Sequence, residues 1–345
     1  MLKTFKQATL GTLKTSGVFG LVENSRWRQR RLLILAYHGI SLDDEHQWDP
    51  SLYMSPERFR RRMQILKDSN CTVLALADAI HLMYAQELPQ RCVVLTFDDG
   101  NYDFHKEAQP ILREFGFPVT VYLTTFYSQF RKPVFDVICS YVLWKGREVQ
   151  LDLRQITGHE GKVDLSVPSV RVRTLEQLRE FAHVKNLSAE EKDSLVASIA
   201  AQLDIDYNAL CASRVLQILS PDEVKTLAAQ GVDIQLHTHR HRMPPDRLQF
   251  FREIDDNQHS IEAMTGAKAS HFCYPSGVYN QAFLPWLEEA GIVSATTCDI
   301  GFASHESHPL LLPRLLDTSG LSDIEFEGWL TGVSAALPRR RELKS

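Results

Sequence analysis

The sequence has no CxxC pair and no cysteine spacing that suggests a disulfide framework: its six cysteines stand singly at 71, 92, 139, 211, 273 and 298. Several lie in apolar runs such as Arg91-Cys92-Val93-Val94, where a free thiol behaves as a small hydrophobe. That usage points to a reducing compartment rather than to a disulfide-stapled secreted scaffold. Also missing is any run of the roughly 18 apolar residues that a membrane span needs. No secretory leader is visible, because the longest uncharged run near the start, Thr15 to Val22, is short, rich in Gly, Ser and Thr, and followed by no small-residue cleavage site. The expectation is a cytoplasmic protein. A strongly basic balance is lacking too; the net charge of −5 argues against a general nucleic-acid binder. Internal repeats and low-complexity tracts are absent.

What is present is ordinary globular material, 345 residues with 44% hydrophobic and 23% charged, enough for one large domain or two smaller ones. The charge is unevenly spread. Residues 1–31 carry Lys3, Lys6, Lys14, Arg26, Arg28, Arg30 and Arg31 against Glu23 alone, and Arg339, Arg340, Arg341 and Lys344 make residues 336–345 a basic tail. Leu2, Phe5, Thr9, Leu10 and Leu13 recur at helical spacing. Residues 1–31 therefore read as a basic amphipathic segment, either packed on the domain or lying on the inner face of an anionic membrane.

From residue 32 short apolar runs alternate with amphipathic stretches. Strands are expected at Leu32 to Tyr37, Cys92 to Phe97, Val119 to Leu123, Val232 to Leu236, 270–274, 292–297 and Leu310 to Leu315. Helices are expected from Ser55, where Ser55-Pro56-Glu57 supplies an N-cap and a first-turn proline, and over 103–115, 220–230, 245–265, 280–290 and from Ser322 to Leu330. Residues 128–218 break this rhythm and read as a mainly helical insertion, with helices over 174–184, 188–202 and 206–219. Repeated strand–helix units imply parallel strands with right-handed crossovers, and in such folds the chemistry gathers at the C-terminal strand ends.

Four strand ends carry reactive groups. Leu95-Thr96-Phe97-Asp98-Asp99-Gly100 sends two adjacent carboxylates off an apolar strand, which also suits an ordinary turn. Leu236-His237-Thr238-His239-Arg240-His241 places His237 and His241 four apart, so that one helical turn would put both imidazoles on one side. A carboxylate and two histidines can supply three ligands to a divalent metal while leaving positions open for water. The second carboxylate can then act as a base. Tyr274-Pro275-Ser276-Gly277-Val278-Tyr279 forms a turn whose backbone N–H groups suit an oxyanion, and Tyr37-His38-Gly39 ends a buried strand on a lone histidine.

Thr96-Phe97-Asp98-Asp99-Gly100, His237-Thr238-x-x-His241 and Tyr274-Pro275-x-Gly277-x-Tyr279 together resemble, in order and spacing, the first three motifs of the polysaccharide deacetylase family, the NodB-homology group or carbohydrate esterase family 4. Tyr37-His38 and Leu312-Pro313-Arg314-Leu315 resemble an early and a late motif of the branch related to poly-N-acetylglucosamine deacetylases. The likeness covers about residues 32–127 and 220–332, so the catalytic domain is expected over 32–335. It implies an α/β fold, a distorted (β/α)7-type barrel, with one divalent metal, most often zinc. By position, Asp99, His237 and His241 would hold the metal, Asp98 would be the base, and Thr238 would help to fix a ligand. Three departures stand out. Cys273 occupies the place of an arginine that steadies the base in many members, Ser276 replaces an aromatic residue, and the late leucine–histidine motif is missing. His38 fits the place of the acid in the branch named above, and Arg314 is the candidate for the missing arginine.

The expected function is removal of an N-acyl group, acetyl in the first instance, from an amino sugar in a glycan or lipid-linked saccharide. Two rival readings follow from the same residues: a non-haem iron oxygenase, whose facial triad is also two histidines and a carboxylate, and a carbohydrate-binding protein with an inactive site.

Overall fold

The computed structural model describes residues 2–130, 132–158 and 161–337. Seven parallel strands are joined in chain order: β1 (Leu33–Tyr37), β2 (Cys92–Phe97), β3 (Thr120–Leu123), β4 (Asp233–Leu236), β5 (His271–Cys273), β6 (Ser294–Ile300) and β7 (Leu312–Leu316). Closure comes from β1, which pairs with β2 on one side (Leu35 opposite Leu95) and β7 on the other (Leu35 opposite Leu315). The two-residue strand Thr72–Val73 adds to the N-terminal end of β2 alone, opposite Cys92 and Val93. The chain thus has the parallel strands that its strand–helix alternation predicts, closed into the α/β barrel that the family resemblance implies.

The alternation of strand side chains sorts the apolar residues into two cores. Leu32, Ile34, Cys92, Val94, Tyr122, Cys273 and Leu312 form one cluster, filling the barrel. Their neighbours Leu33, Leu35, Val93, Leu95, Phe97, Val121 and Leu123 face outward and pack with Phe59, Met63, Phe250, Ile254 and Phe326 of the surrounding helices. Both faces of each strand are covered, which is why these runs read as continuously apolar.

The helices begin where the sequence signals them. Ser55 accepts from the Arg58 N–H at the head of Pro56–Asp68, and Ser220–Glu223 closes a capping box on Pro221–Ala229. The lower rim is closed by Arg28, fully buried, which donates to the carbonyls of Leu330 (2.7 Å), Arg31 (2.8 Å) and Cys92 (3.5 Å).

Residues 1–31 form the helix Leu2–Thr15 followed by Val18–Glu23 and Arg26–Gln29. Leu10 and Phe19 join Val333 in a small core, and Lys6 and Lys14 pair with Glu325 and Glu327 on the helix Asp323–Thr331. Val333–Ala336 is a short helix, so residue 336, where the basic tail is expected to begin, is helical; residues 338–345, with Arg339, Arg340, Arg341 and Lys344, lie outside the described residues.

Between β3 and β4 stand helices Phe135–Lys145, Arg154–Thr157, Pro168–Val184, Ala189–Gln202 and Tyr207–Ser213, with a small antiparallel pair, Gln150–Asp152 and Lys162–Asp164. The helix expected over 206–219 stops at Ser213, and the short helix Arg154–Thr157, the strand pair and helix Phe135–Lys145 are additions to the sequence expectation. The helix is apolar on nearly all sides, with Ile138, Cys139, Tyr141, Val142 and Leu143 all buried, and so lacks the one-sided stripe that would have marked it. These elements have their own core around Ile138, Val142, Leu178, Val196 and Ile199, which also takes in Trp48 and Tyr53 from the loop after β1.

Candidate active site

The reactive side chains collect at the upper rim, where the strands end. Asp98 and Asp99 follow β2 directly, and a left-handed Asp99 (φ 70°) sends the two carboxylates in different directions. The separation comes from this turn and not from strand alternation, since both residues lie beyond the strand.

Asp98 points into the barrel and is 2% exposed. Arg314 of β7 donates to both of its oxygens, Nη1 to Oδ1 and Nη2 to Oδ2, each at 2.7 Å. The guanidinium is itself held by the Thr297 carbonyl (3.0 Å) and touches Thr96 Oγ1 (3.2 Å) and Cys273 Sγ (3.1 Å). Burial alone would raise the Asp98 carboxyl, but Arg314 outweighs it and holds the group at about 2. Asp98 is therefore an anion at any working pH, with both oxygens partly engaged.

Asp99 meets two imidazoles. Its Oδ1 lies 3.3 Å from His237 Nε2 and 3.2 Å from His241 Nε2. No protein N–H or O–H is directed at Asp99 Oδ1 among the described residues, although the atom is buried. His237 donates from Nδ1 to the Cys273 carbonyl at 2.8 Å, which leaves the Nε2 lone pair facing Asp99. Three lone-pair atoms thus converge, a donor set of one carboxylate oxygen and two imidazole nitrogens that fits zinc or a similar divalent cation.

A second group, Asp98, His237 and Cys273, also lies close together, but it is a poor ligand set. The Asp98 charge is already compensated by Arg314, and burial pushes the Cys273 thiol well above its ordinary value, so the sulfur keeps its proton.

His237 and His241 are not on a helical turn, contrary to the expectation from their spacing. The segment after β4 is a loop with Thr238 (φ 60°) and His241 (φ 54°) left-handed, and the two rings meet with centroids 4.9 Å apart. Thr238 Oγ1 accepts the Arg242 N–H at 3.0 Å, closing the loop around His241. Buried Glu253 accepts from the Arg240 N–H (2.7 Å) and from the Arg240 and Arg242 side chains (3.1 and 3.0 Å). His239, the third histidine, turns away to Thr125 Oγ1 at 2.9 Å.

His38 follows β1 with its Nε2 3.9 Å from Asp98 Oδ2. In the Tyr274-to-Tyr279 segment, Ser276 is left-handed (φ 55°), and the N–H groups of Gly277 and Val278 are taken by the carbonyls of Tyr274 and Pro275. Gly277 is required there, because a Cβ would lie 2.7 Å from Cys298 Cβ. Tyr274 and Tyr279 point away from the carboxylates: Tyr274 donates to the Leu310 carbonyl (3.0 Å) and Tyr279 to Asp299 Oδ2 (2.7 Å), anchoring the turn to its neighbours.

Two supporting residues escaped the sequence reading. Asn257 Oδ1 accepts the His237 N–H (3.0 Å), while its Nδ2 donates to the Leu123 carbonyl and Thr125 Oγ1 (3.0 Å each). The signal was available: Asn257 interrupts the buried stripe Phe250, Ile254, Ile261 of its helix. Glu253 stands beside that same stripe.

A family model for polysaccharide deacetylase matches residues 85–136 and 188–295. YxkH of Bacillus subtilis (strain 168), a protein named for the polysaccharide deacetylases, is 20% identical over 320 residues, covering 90% of this chain and 81% of its own. Among solved structures, the Streptococcus pyogenes deacetylase PplD in complex with acetate superposes with a TM-score of 0.55 at 19% identity, over 86% of this chain and 96% of that one. IcaB from Ammonifex degensii gives 0.55 at 16% identity, over 87% and 97%. At these identities the superpositions speak for the fold.

Proposed function

We propose that the chain is a carbohydrate deacetylase of the polysaccharide deacetylase family, whose model it matches over residues 85–136 and 188–295, and that it hydrolyses an N-acyl amide, acetyl in the first instance, on an amino sugar of a glycan or lipid-linked saccharide. One observation carries this reading: two adjacent carboxylates are committed to different partners, Asp98 to an arginine and Asp99 to two histidines. That division separates a base from a metal ligand.

Asp99, His237 and His241 would hold a zinc-like cation, which would supply a Lewis acid and a bound water with its pKa lowered toward about 7. Asp98 accepts the proton of the attacking water at a carboxylate oxygen. Arg314 keeps that carboxylate ionised and fixes its plane. Of the amides in the Pro275–Val278 turn, two are engaged and proline has none, which leaves the Ser276 N–H to steady the oxyanion; such a donor is worth about 3–4 kcal/mol when well aimed. An amine leaves poorly until it is protonated, and His38 Nε2, beside Asp98, delivers that proton.

Release of acyl group from a panel of N-acetylated and N-formylated sugars, monomeric, oligomeric and lipid-linked, tests the reading. Metal-dependent release from at least one supports it. Oxygen consumption by the iron-loaded protein without acyl release would favour the oxygenase, and sugar binding without either would favour the inactive binder.

A further inference from the structure

We propose that the helical insertion acts on catalysis by positioning His38: its helix Phe135–Lys145 braces the loop that carries this histidine. The proposal rests on His38 being the proton donor and goes beyond it, because the bracing helix lies mostly outside the matched family region, in the gap between residues 136 and 188.

His38 is poorly fixed by its own hydrogen bonds. Its Nδ1 is buried with no partner among the described residues, and its Nε2 lies 3.9 Å from the nearest Asp98 oxygen. A catalytic histidine normally has its second ring nitrogen tied down, which sets tautomer and orientation. Here the ring is set by the backbone that carries it and by what packs on that backbone.

That backbone is held from the side of the insertion. Gly39 and Ile40 pair in parallel with Tyr53 and Met54, and the Gly39 N–H donates to the Leu52 carbonyl at 3.1 Å. The Tyr53 ring sits so close over Gly39 that a Cβ there would meet it at 2.3 Å, so glycine is required next to His38. Tyr53 stacks toward Trp48 (5.8 Å between centroids), and Trp48 packs edge-on to Tyr141 (5.4 Å) and donates from Nε1 to Ser140 Oγ (3.3 Å). Lys145 Nζ reaches Asp43 and Asp44 at 3.0 Å each, and the Tyr141 hydroxyl donates to Asp44. Trp48 and Tyr53 belong to the insertion's core, although they lie in the loop after β1. A continuous chain of contacts therefore runs from helix Phe135–Lys145 to the residue beside His38. The insertion is joined to the active rim at its other end too: Leu219 donates to the Gly100 carbonyl (2.9 Å) and Tyr102 to that of Gln217 (2.7 Å).

The brace is tested by Tyr141→Phe combined with Lys145→Met, which cuts the tether to Asp43 and Asp44 and leaves the aromatic packing in place. Turnover is measured on an N-acetyl sugar and on an activated aryl acetate, alongside His38→Ala, metal content and melting temperature. An amide needs its nitrogen protonated while an aryl ester departs unaided, so a displaced proton donor harms only the first. The double variant should lose about tenfold in amide kcat/KM, within the range a small misplacement costs, with ester turnover within about twofold and metal content unchanged. Lys145→Met alone, at a partly exposed side chain, should give a smaller loss of the same selectivity and serves if the double variant is unstable. If His38→Ala is selective for the amide but neither tether variant is, the insertion does not position it. If His38→Ala harms amide and ester equally, the donor assignment itself fails and the brace has nothing to act on.

Discussion

Arg314 grips both oxygens of Asp98 at 2.7 Å, although the two residues lie 216 positions apart. Both are buried, so this is an ion pair whose halves depend on each other, and its consequences for stability and for catalysis can be separated.

Asp98→Asn should lose turnover on amide and ester alike, by about 10²–10⁴-fold as is typical for a general base. It should also leave the Arg314 charge uncompensated in the barrel, costing about 3–5 kcal/mol. Asp98→Asn with Arg314→Met should recover much of that stability and none of the activity. Denaturant unfolding beside kcat/KM separates the two effects. A stable but inactive single variant would mean that the pair contributes little to folding.

Arg314→Met makes a prediction with a definite sign in pH. The folded Asp98 pKa of about 2 lies below the roughly 3.9 of an unfolded aspartate. Its contribution is therefore present above about pH 4 and lost as pH falls through about 2. Without Arg314, burial is opposed only by His38 and His237, and the Asp98 pKa is expected to rise above the unfolded value, so the sign reverses. The contribution is then present at low pH and lost as pH rises through the new folded value. In the metal-stripped protein, Arg314→Met should destabilise less at pH 4 than at pH 7. In the active enzyme, the acid limb of kcat/KM should move upward. Greater destabilisation at pH 4 would contradict the assignment.

Asn257→Ala removes the acceptor for the His237 N–H and leaves the Leu123 carbonyl without its donor. Groups that orient a ligand histidine are typically worth 10–100-fold in metal affinity. A competition titration with a chelator should show a loss of about that size, with metal-free stability lower by about 1–3 kcal/mol from the unpaired buried groups. Unchanged affinity would mean that the loop holds His237 without Asn257.

Deleting residues 1–28 is a poor test of membrane contact, because it strips Leu10, Phe19 and the buried Arg28 from the fold. Lys6 and Lys14 are also committed to Glu325 and Glu327, and Arg31 to the Trp27 carbonyl and ring, which leaves Lys3, Arg26 and Arg30, on the segment that exposes Phe5, Leu21 and Trp27, as basic groups with no ion pair among the described residues. Lys3, Arg26 and Arg30 changed to Glu should abolish salt-sensitive sedimentation with anionic vesicles, since each basic group near such a surface is worth roughly 1 kcal/mol. Unchanged sedimentation would remove the membrane from the account.

The strands and helices were legible in the sequence because the strands are short and buried on both faces and several helices carry caps such as Ser55-Pro56 and Ser220-Pro221, whereas their closure into a barrel was implied by the family resemblance alone. The carboxylates and histidines were legible as strand-end clusters. How they converge was not. The meeting of His237 and His241 depends on left-handed Thr238 and His241 and on Glu253 binding the loop from a helix, none of which a spacing of four records. Arg314 could be picked out as a lone basic residue in an apolar strand, but its pairing with both Asp98 oxygens depends on barrel closure that puts β7 and β2 on either side of β1. The brace on His38 was hidden because helix Phe135–Lys145 is buried nearly all round and carries no periodic stripe.

Every catalytic role proposed above depends on the metal ligands. The most direct measurement is metal content per chain, by elemental mass spectrometry, for the wild type and for His237→Ala with His241→Ala, each loaded with zinc and passed through the same desalting step. About one ion per chain in the wild type and almost none in the double variant is the expected result for a site with three protein ligands reduced to one. Full occupancy in the folded double variant would contradict the assignment of Asp99, His237 and His241.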